Sequence, residues 1–385
     1  MKTKNLLILA LLAGVLPFIA SCSNDELVAE NQSNPNEISF KTFVAGTTRA
    51  SSVVDVTTAN LTSFTVNAMQ AGTETAYFSN AVYTGTSGGT FTCTTKHYWP
   101  AVENLDFYAY APAGNGQVTY TSYKAFTVTP TAGTDPASQV DLVYAATKGK
   151  SKSTCGASGV TLNFRHTGAK IVCKVKNTST TLKFGVEGWK VGYLSPTGTF
   201  TFADTNTDGQ NTGSGTTLTF AQWGSHTAAS VATEYASTFS KVDVAVSASE
   251  TGLGGEMILV PQTLTAATAY ANSAVDATLN GTFIAVKLYV LDNTSNFLVA
   301  GGGSTASPTT IWAIWPIGGH NWEPGKKYTY TIDLAGAGYY EKNTATVPSG
   351  GSDTSLDPIL EGAEIKFVTV TVDDWTDVAK TVPES

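Results

Sequence analysis

Short alternating runs of apolar and polar residues, cut apart by Gly, Pro, Asn and Asp, recur along almost the whole chain and restrict its fold more than any other feature. They span Ser63 to Ala68, Phe91 to Tyr98, Leu105 to Ala111, Gln117 to Thr129, Val160 to His166 and Ala169 to Lys176. Others follow at Trp189 to Tyr193, Thr199 to Phe202, Thr217 to Phe220, Val242 to Val246, Met257 to Val260, Phe283 to Leu291, Lys327 to Leu334 and Ile365 to Val372. In Lys327 to Leu334 the residues Tyr328, Tyr330, Ile332 and Leu334 share one side of a strand, so one face is dry and the other wet. Near the end, Ile365 and Phe367 hold one phase while Val368, Val370 and Val372 hold the other. That change implies a bulge or a strand buried on both faces. Many short strands without helical patterns between them stack as sandwiches, not as βαβ units.

Composition agrees with this reading. The 385 residues include 36 Gly, 16 Tyr and 17 Phe, and only 14% are charged, a make-up suited to pleated, half-buried surfaces. A net charge of −8 argues against nucleic acid as a partner and supplies no basic patch for anionic headgroups. The start of the chain is different in kind. Lys2 and Lys4 precede an apolar run from Leu6 to Ile19, which leads into Ala20-Ser21-Cys22. The run is too short to span a bilayer. It resembles a bacterial lipoprotein signal, which implies cleavage before Cys22 and acylation of that residue. Several acyl chains on one residue hold a protein durably on a membrane, since each buried methylene contributes about 0.8 kcal/mol. The acidic Ser23-Asn24-Asp25-Glu26 that follows resembles a tag for the outer surface. No later segment approaches the roughly 20 apolar residues of a membrane helix, so the acyl group is the expected membrane contact.

Constellations for catalysis are sparse. His97, His166, His226 and His320 lie far apart without metal-ligand spacing. Gly149-Lys150-Ser151 lacks the first glycine of a phosphate loop, Tyr144 standing there. Asp373 and Asp374 are adjacent, so on a strand they point to opposite faces and cannot form an acid/base pair. The expectation is a protein that is not an enzyme, with no catalytic residue, cofactor or metal. Asp204-Thr205-Asn206-Thr207-Asp208-Gly209 has the oxygen spacing of a calcium loop, yet the closing Glu would fall at Gly215. It reads as a solvated hairpin loop, with a weak calcium site as the alternative. His166 alternates with Leu162 and Phe164 and reads as a hydrogen-bonded core histidine. Cys173 shares the apolar alternation of Ala169, Ile171 and Val175 and reads as a buried thiol. A Cys155–Cys173 bridge is the alternative, and Cys93 makes the count odd. Trp312, Trp315 and Trp322, with Tyr339 and Tyr340, read as core and loop anchors or as rings that stack on sugars.

Several landmarks resemble the fimbrillin family, type V pilins and related fimbrillin-like surface lipoproteins. They include Ile38-Ser39-Phe40 leading to Thr48-Arg49-Ala50, Tyr98-Trp99-Pro100, and Leu105-Asp106-Phe107-Tyr108-Ala109-Tyr110. Asp141-Leu142-Val143-Tyr144-Ala145 and Leu162-Asn163-Phe164-Arg165-His166-Thr167-Gly168-Ala169-Lys170-Ile171 follow. The last are Ile258-Leu259-Val260-Pro261-Gln262, Trp322-Glu323-Pro324-Gly325-Lys326-Lys327-Tyr328 and Val372-Asp373-Asp374-Trp375. The resemblance implies a lipoprotein precursor that an arginine-specific protease cuts at Arg49-Ala50, although an exposed loop arginine is the plainer account of Arg49. Cutting would free a strand carrying Ile38, Phe40 and Val44. A neighbouring subunit would refill the slot with a C-terminal strand carrying Ile365, Phe367, Val368, Val370 and Val372. Head-to-tail addition does not close on itself and so makes a filament.

The expected fold is therefore all-β: two tandem β-sandwich (transthyretin-like/Greek-key) domains after a lipoprotein signal peptide. The boundaries are 1–21 for the signal, 22–50 for tether and removable strand, 51–157 for the N-terminal sandwich and 158–385 for the C-terminal one. Residues 145–158, rich in Lys, Ser and Gly, are the linker candidate. The expected partners are other fimbrial subunits, the outer membrane through the lipid, and a host surface or glycan. The expected place is the outer membrane and cell surface, and an uncleaved monomeric lipoprotein that binds glycans is the alternative function.

Overall fold

In the computed structural model the described residues are 36–44, 56, 60–73, 75–86, 91–122, 125–129, 136, 139–156, 158–202, 222–266, 281–299, 309–336, 339–341, 356–358 and 369–374. The first strands are β1 (Phe40–Val44), β2 (Ser63–Gln70), β3 (Ala76–Thr84), β4 (Thr92–Cys93), β5 (Leu105–Ala111), β6 (Val118–Ser122), β7 (Ala125–Val128), β8 (Val143–Lys150) and β9 (Val160–His166). A single helical turn, α1 (Lys152–Cys155), joins the last two. Then come β10 (Ala169–Lys176), β11 (Leu182–Leu194), β12 (Gly198–Thr201), β13 (Trp223–Gly224), β14 (Ser230–Val244), β15 (Thr251–Gly252) and β16 (Met257–Leu259). The last are β17 (Phe283–Asp292), β18 (Phe297–Val299), β19 (Ile311–Pro316), β20 (Lys326–Asp333), β21 (Tyr339–Glu341), β22 (Leu356–Pro358) and β23 (Thr369–Asp374). The all-β expectation holds.

Strands alternate because one face of each is buried. In β20, Tyr328, Tyr330 and Ile332 enter a core shared with Ile171, Cys173 and Val175 of β10. These strands belong to a five-stranded sheet ordered β15-β10-β20-β23, with β16 also paired to β10. Facing it is a seven-stranded sheet ordered β14-β11-β17-β19-β21-β22, with β18 on β17. It contributes Trp189 and Val191 from β11 and Ile284, Val286 and Leu288 from β17 to the same core. Cys173 is buried, and burial pushes its thiol pKa up. Its placement agrees with the buried-thiol reading, and no disulfide forms among the described cysteines.

A second seven-stranded sheet, ordered β1-β9-β8-β5-β2-β3-β4, encloses another core. Phe64 and Val66 of β2, Phe107 and Ala109 of β5, and Leu162 and Phe164 of β9 line it. The opposite face of that sheet carries Met69, Tyr108, Tyr110 and Tyr144. A four-stranded sheet, β13-β12-β7-β6, covers this face with Phe126, Phe200, Phe202 and Trp223.

Three sequence expectations meet a different local structure. The stretch 145–158 is not an open linker: most of it is β8, whose residues Val143 to Thr147 are buried between β5 and β9, and α1. Sheet pairing also runs across residue 157, since β9 bonds to β8 and β1 while β12 bonds to β7. Composition records small and polar residues but not the backbone ladders they enter. Gln117 to Thr129, read as one run, is the antiparallel hairpin of β6 and β7. Finally, β11 is thirteen residues long, far beyond Trp189 to Tyr193, because Gly185 and Gly192 break its apolar rhythm. A Cβ at Gly185 would strike the ring of Tyr289, and one at Gly192 the ring of Phe283, so β11 needs glycine at both positions.

A buried His–Asp contact joins the end of β9 to the segment before β8. His166 Nδ1 lies 2.8 Å from Asp141 Oδ2, with both side chains almost wholly enclosed. The same carboxylate oxygen accepts a 2.7 Å hydrogen bond from the Val56 amide. Sharing the charge between two donors offsets the desolvation cost of burying it.

Candidate assembly groove

The first described segment closes the N-terminal body along two seams. From Phe40 to Val44 it runs parallel to β9, Phe40 opposite Val160 and Val44 opposite Phe164. One step earlier it meets the segment after β4. Glu37 bridges Tyr98 in antiparallel fashion, the Ile38 amide donates to His97 O at 2.8 Å, and the Trp99 amide donates to Asn36 O at 2.9 Å. Residues 36–44 therefore span the gap between the two ends of a curled sheet. At the turn into β9, Gly159 adopts φ +76° and passes so close that a Cβ would lie 3.1 Å from Ser39 Oγ. The Val160 amide donates to Ser39 O there at 2.8 Å.

Side chains from this segment reach the centre of the core. Ile38 and Phe40 are each 1% exposed. The Phe40 ring stands edge-on to Tyr83 at 4.7 Å, to Phe107 at 5.4 Å and to Phe64 at 5.5 Å between centroids. Edge-to-face contacts of this kind add about 0.5–1.5 kcal/mol beyond the area they bury. Beneath the seam the His97 ring stacks on Phe78 at 4.0 Å, and Trp99 meets Phe107 edge-on at 5.9 Å. The Tyr83 hydroxyl reaches Ile38 O over a long 3.5 Å.

Electrostatics mark the mouth of this groove. Lys96 Nζ pairs with Glu37 Oε2 at 2.8 Å. The hydrogen bond that Lys96 donates to this carboxylate raises the lysine pKa, and the carboxylate charge adds to the effect. Burial lowers the His97 pKa and raises that of the Tyr83 phenol. The arrangement holds no nucleophile with a base beside it. Among the described residues no three His, Cys, Asp or Glu side chains gather as a metal site, and no helix is long and apolar enough to cross a membrane.

The residues singled out in the sequence divide as follows. Ile38 and Phe40 lie together in the groove, and the backbone of Val44 ends the parallel pairing with β9. Cys22, Arg49, Ala50, Ile365, Phe367 and Val368 lie outside the described residues, as does the loop Asp204 to Gly209. Val370 and Val372 belong to β23, an edge strand antiparallel to β20 with Val370 opposite Tyr330 and Val372 opposite Tyr328. Val370 is exposed. His166 is a buried, hydrogen-bonded histidine. Trp315 and Trp322 are core residues, while Trp312 is half-buried with Lys190 Nζ 4.9 Å above its ring. Trp99 of the aromatic-proline motif is buried and Tyr98 is exposed. The sequence reading missed the receiving side of the groove, Tyr83, Phe78, His97 and Lys96. The alternation in Phe91 to Tyr98 places Lys96 and His97 on a strand but not against residue 37, since Lys96 and Glu37 are 59 positions apart.

A model of the fimbrillin-like family matches residues 48–375. This chain belongs to that family. Among solved structures, a fimbrial protein from Bacteroides vulgatus ATCC 8482 is similar at 15% identity with a TM-score of 0.53. The match covers 89% of this chain and all of that one. A fimbrilin from Porphyromonas gingivalis W83 is similar at 13% identity and a TM-score of 0.39, covering 90% of this chain and 99% of that one. No curated protein matches the chain. At such identities the first likeness speaks for a shared fold of this fimbrillin-like chain and for nothing finer.

Proposed function

We propose that this fimbrillin-like chain is a structural and adhesive subunit of a surface fimbrium, exported as a lipoprotein and assembled by strand exchange. In this reading Cys22 carries the lipid, the outer membrane holds the precursor, and proteolysis at Arg49-Ala50 releases residues 22–49. The observation that carries it is the burial of Phe40 among Phe64, Tyr83 and Phe107 by a strand that lies before every other strand of its sheet in the chain. Because β1 pairs in parallel with a strand more than a hundred residues later, its loss interrupts no hairpin. Its departure would uncover the β9 edge, the 97–99 edge and apolar pockets with roughly 1.5–3 kcal/mol at stake per side chain. A strand from the next subunit, drawn from Ile365, Phe367, Val368, Val370 and Val372, would refill them. The part of it that lies in β23, with Val370 and Val372, is at a sheet edge, so only the ladder with β20 breaks when that part is given up.

The test is the amino terminus of the protein on the cell surface together with its size on denaturing gels. A start at Ala50 in SDS-stable ladders is expected, and Arg49→Ala should leave a full-length acylated monomer. Ladders of normal length from the Arg49→Ala protein would reject cleavage-driven assembly.

A further inference from the structure

The segment that seals the groove has a near copy elsewhere in the chain. Glu37-Ile38-Ser39-Phe40-Lys41-Thr42 and Glu364-Ile365-Lys366-Phe367-Val368-Thr369 agree at four of six positions, Glu, Ile, Phe and Thr. No other Glu-Ile pair occurs in the sequence. The agreement falls on the groove-facing set: Ile38 and Phe40 are buried, whereas the differing Ser39 and Lys41 are half-buried and exposed. In the folded chain Glu37 is the acid that pairs with Lys96 at the groove mouth, 2.8 Å away. Removal of the first strand takes that acid with it and leaves Lys96, whose side chain is 59% exposed, without its partner.

We infer that Lys96 is the residue that sets the register of an incoming strand, by pairing with Glu364 of a second copy of this chain. This rests on the strand-exchange reading and specifies its geometry. Glu364 takes the place of Glu37, Ile365 and Phe367 enter the pockets of Ile38 and Phe40, and Thr369 stands opposite Leu162 where Thr42 does. The strand then runs parallel to β9, as β1 does. A slip by one residue would turn Ile365 and Phe367 outward and move the carboxylate to the wrong side of the strand. A slip by two would keep the apolar face inward but separate Glu364 from Lys96. Apolar packing thus selects the face, and the ion pair selects among the registers that share it. Adopting this register requires Thr369 to leave its position opposite Thr331 on β20, at the end of a six-residue edge strand.

The experiment uses the full-length precursor, cut with an arginine-specific protease, and reads the initial rate of SDS-stable ladder formation. Glu364→Lys leaves the Lys96–Glu37 pair of the precursor intact and should slow assembly by about tenfold or more, because two cations then meet at the mouth. Lys96→Glu should slow it comparably, with precursor folding checked by thermal unfolding. Combining the two should restore a rate within about twofold of the parent, since the charges are exchanged but still opposite. Added salt should shrink both single-variant defects. The inference is overturned if either single variant assembles like the parent or if the double variant recovers nothing. An unlike result separates it from the underlying reading. If Ile365→Ala with Phe367→Ala abolishes ladders while the charge variants are silent, strand exchange stands and this register falls. If the parent itself forms no ladders after cleavage, strand exchange falls as well.

Discussion

At the residue scale the groove turns on Phe40. Its ring fills a space bounded by three other rings, so Phe40→Ala should destabilise the uncut precursor by about 3–5 kcal/mol, measured by urea unfolding. The same substitution should leave the protein cut at Arg49 unchanged, because residue 40 has then departed. His97 supplies a pH signature in the same wall. Burial holds its folded pKa below the ordinary value. Its contribution to stability is therefore complete above the unfolded pKa of about 6.5 and is lost as pH falls through that value towards the lower folded one. Urea midpoints of the precursor should drop on acidification through this window, and His97→Gln should flatten part of the drop. His320, also lowered by burial, should account for another part. Asp141 makes a different demand. Replacing it by Ala removes the acceptor that the His166 ring and the Val56 amide use, and should cost about 1–3 kcal/mol by the same measurement.

At the scale of elements, the two strands that the proposed exchange would use are each held by a single ladder. β1 makes one ladder of five residues with β9, and β23 makes one of six with β20. Deleting residues 365–385 should accordingly leave a folded monomer with an intact cooperative transition and no ability to form ladders after cleavage. The converse outcome, loss of the transition, would mean that β23 is part of the folding core. Much of this anatomy was legible in the sequence. Ile38, Phe40, Tyr328 and Tyr330 declared their buried faces through alternation, which follows from the pleat of any strand. What stayed hidden has physical causes. β14 is an edge strand rich in Ser, Thr and Ala, so it lacks the apolar contrast that betrays a central strand. β8 carries Thr, Lys and Gly at its end, and only its partners β5 and β9 reveal it as part of the sheet. The receiving wall of the groove could not be read because pairing partners such as Glu37 and Tyr98 are far apart in sequence.

At the scale of the whole molecule, the proposed cleavage would make the precursor and the cut form two states of one body that differ in a single stave. While residues 36–44 are in place, the curled sheet has its gap filled and the aromatic core around Phe64, Tyr83 and Phe107 is closed to water. Once they leave, those rings line an open slot, and the amide of Val160 and the carbonyl of His97 lose their partners. Exposed apolar surface of this extent favours association, so the cut form should be short-lived as a monomer. Directly after cleavage at low protein concentration, hydrogen exchange should accelerate along Val160 to Phe164 and at residues 97–99. The four-stranded sheet around Phe126 and Phe200 should keep its protection, because its contacts do not include β1. As ladders form, protection at 160–164 should return. Rapid exchange that persists in finished ladders would mean that the slot stays empty, and that subunits are joined by some other surface.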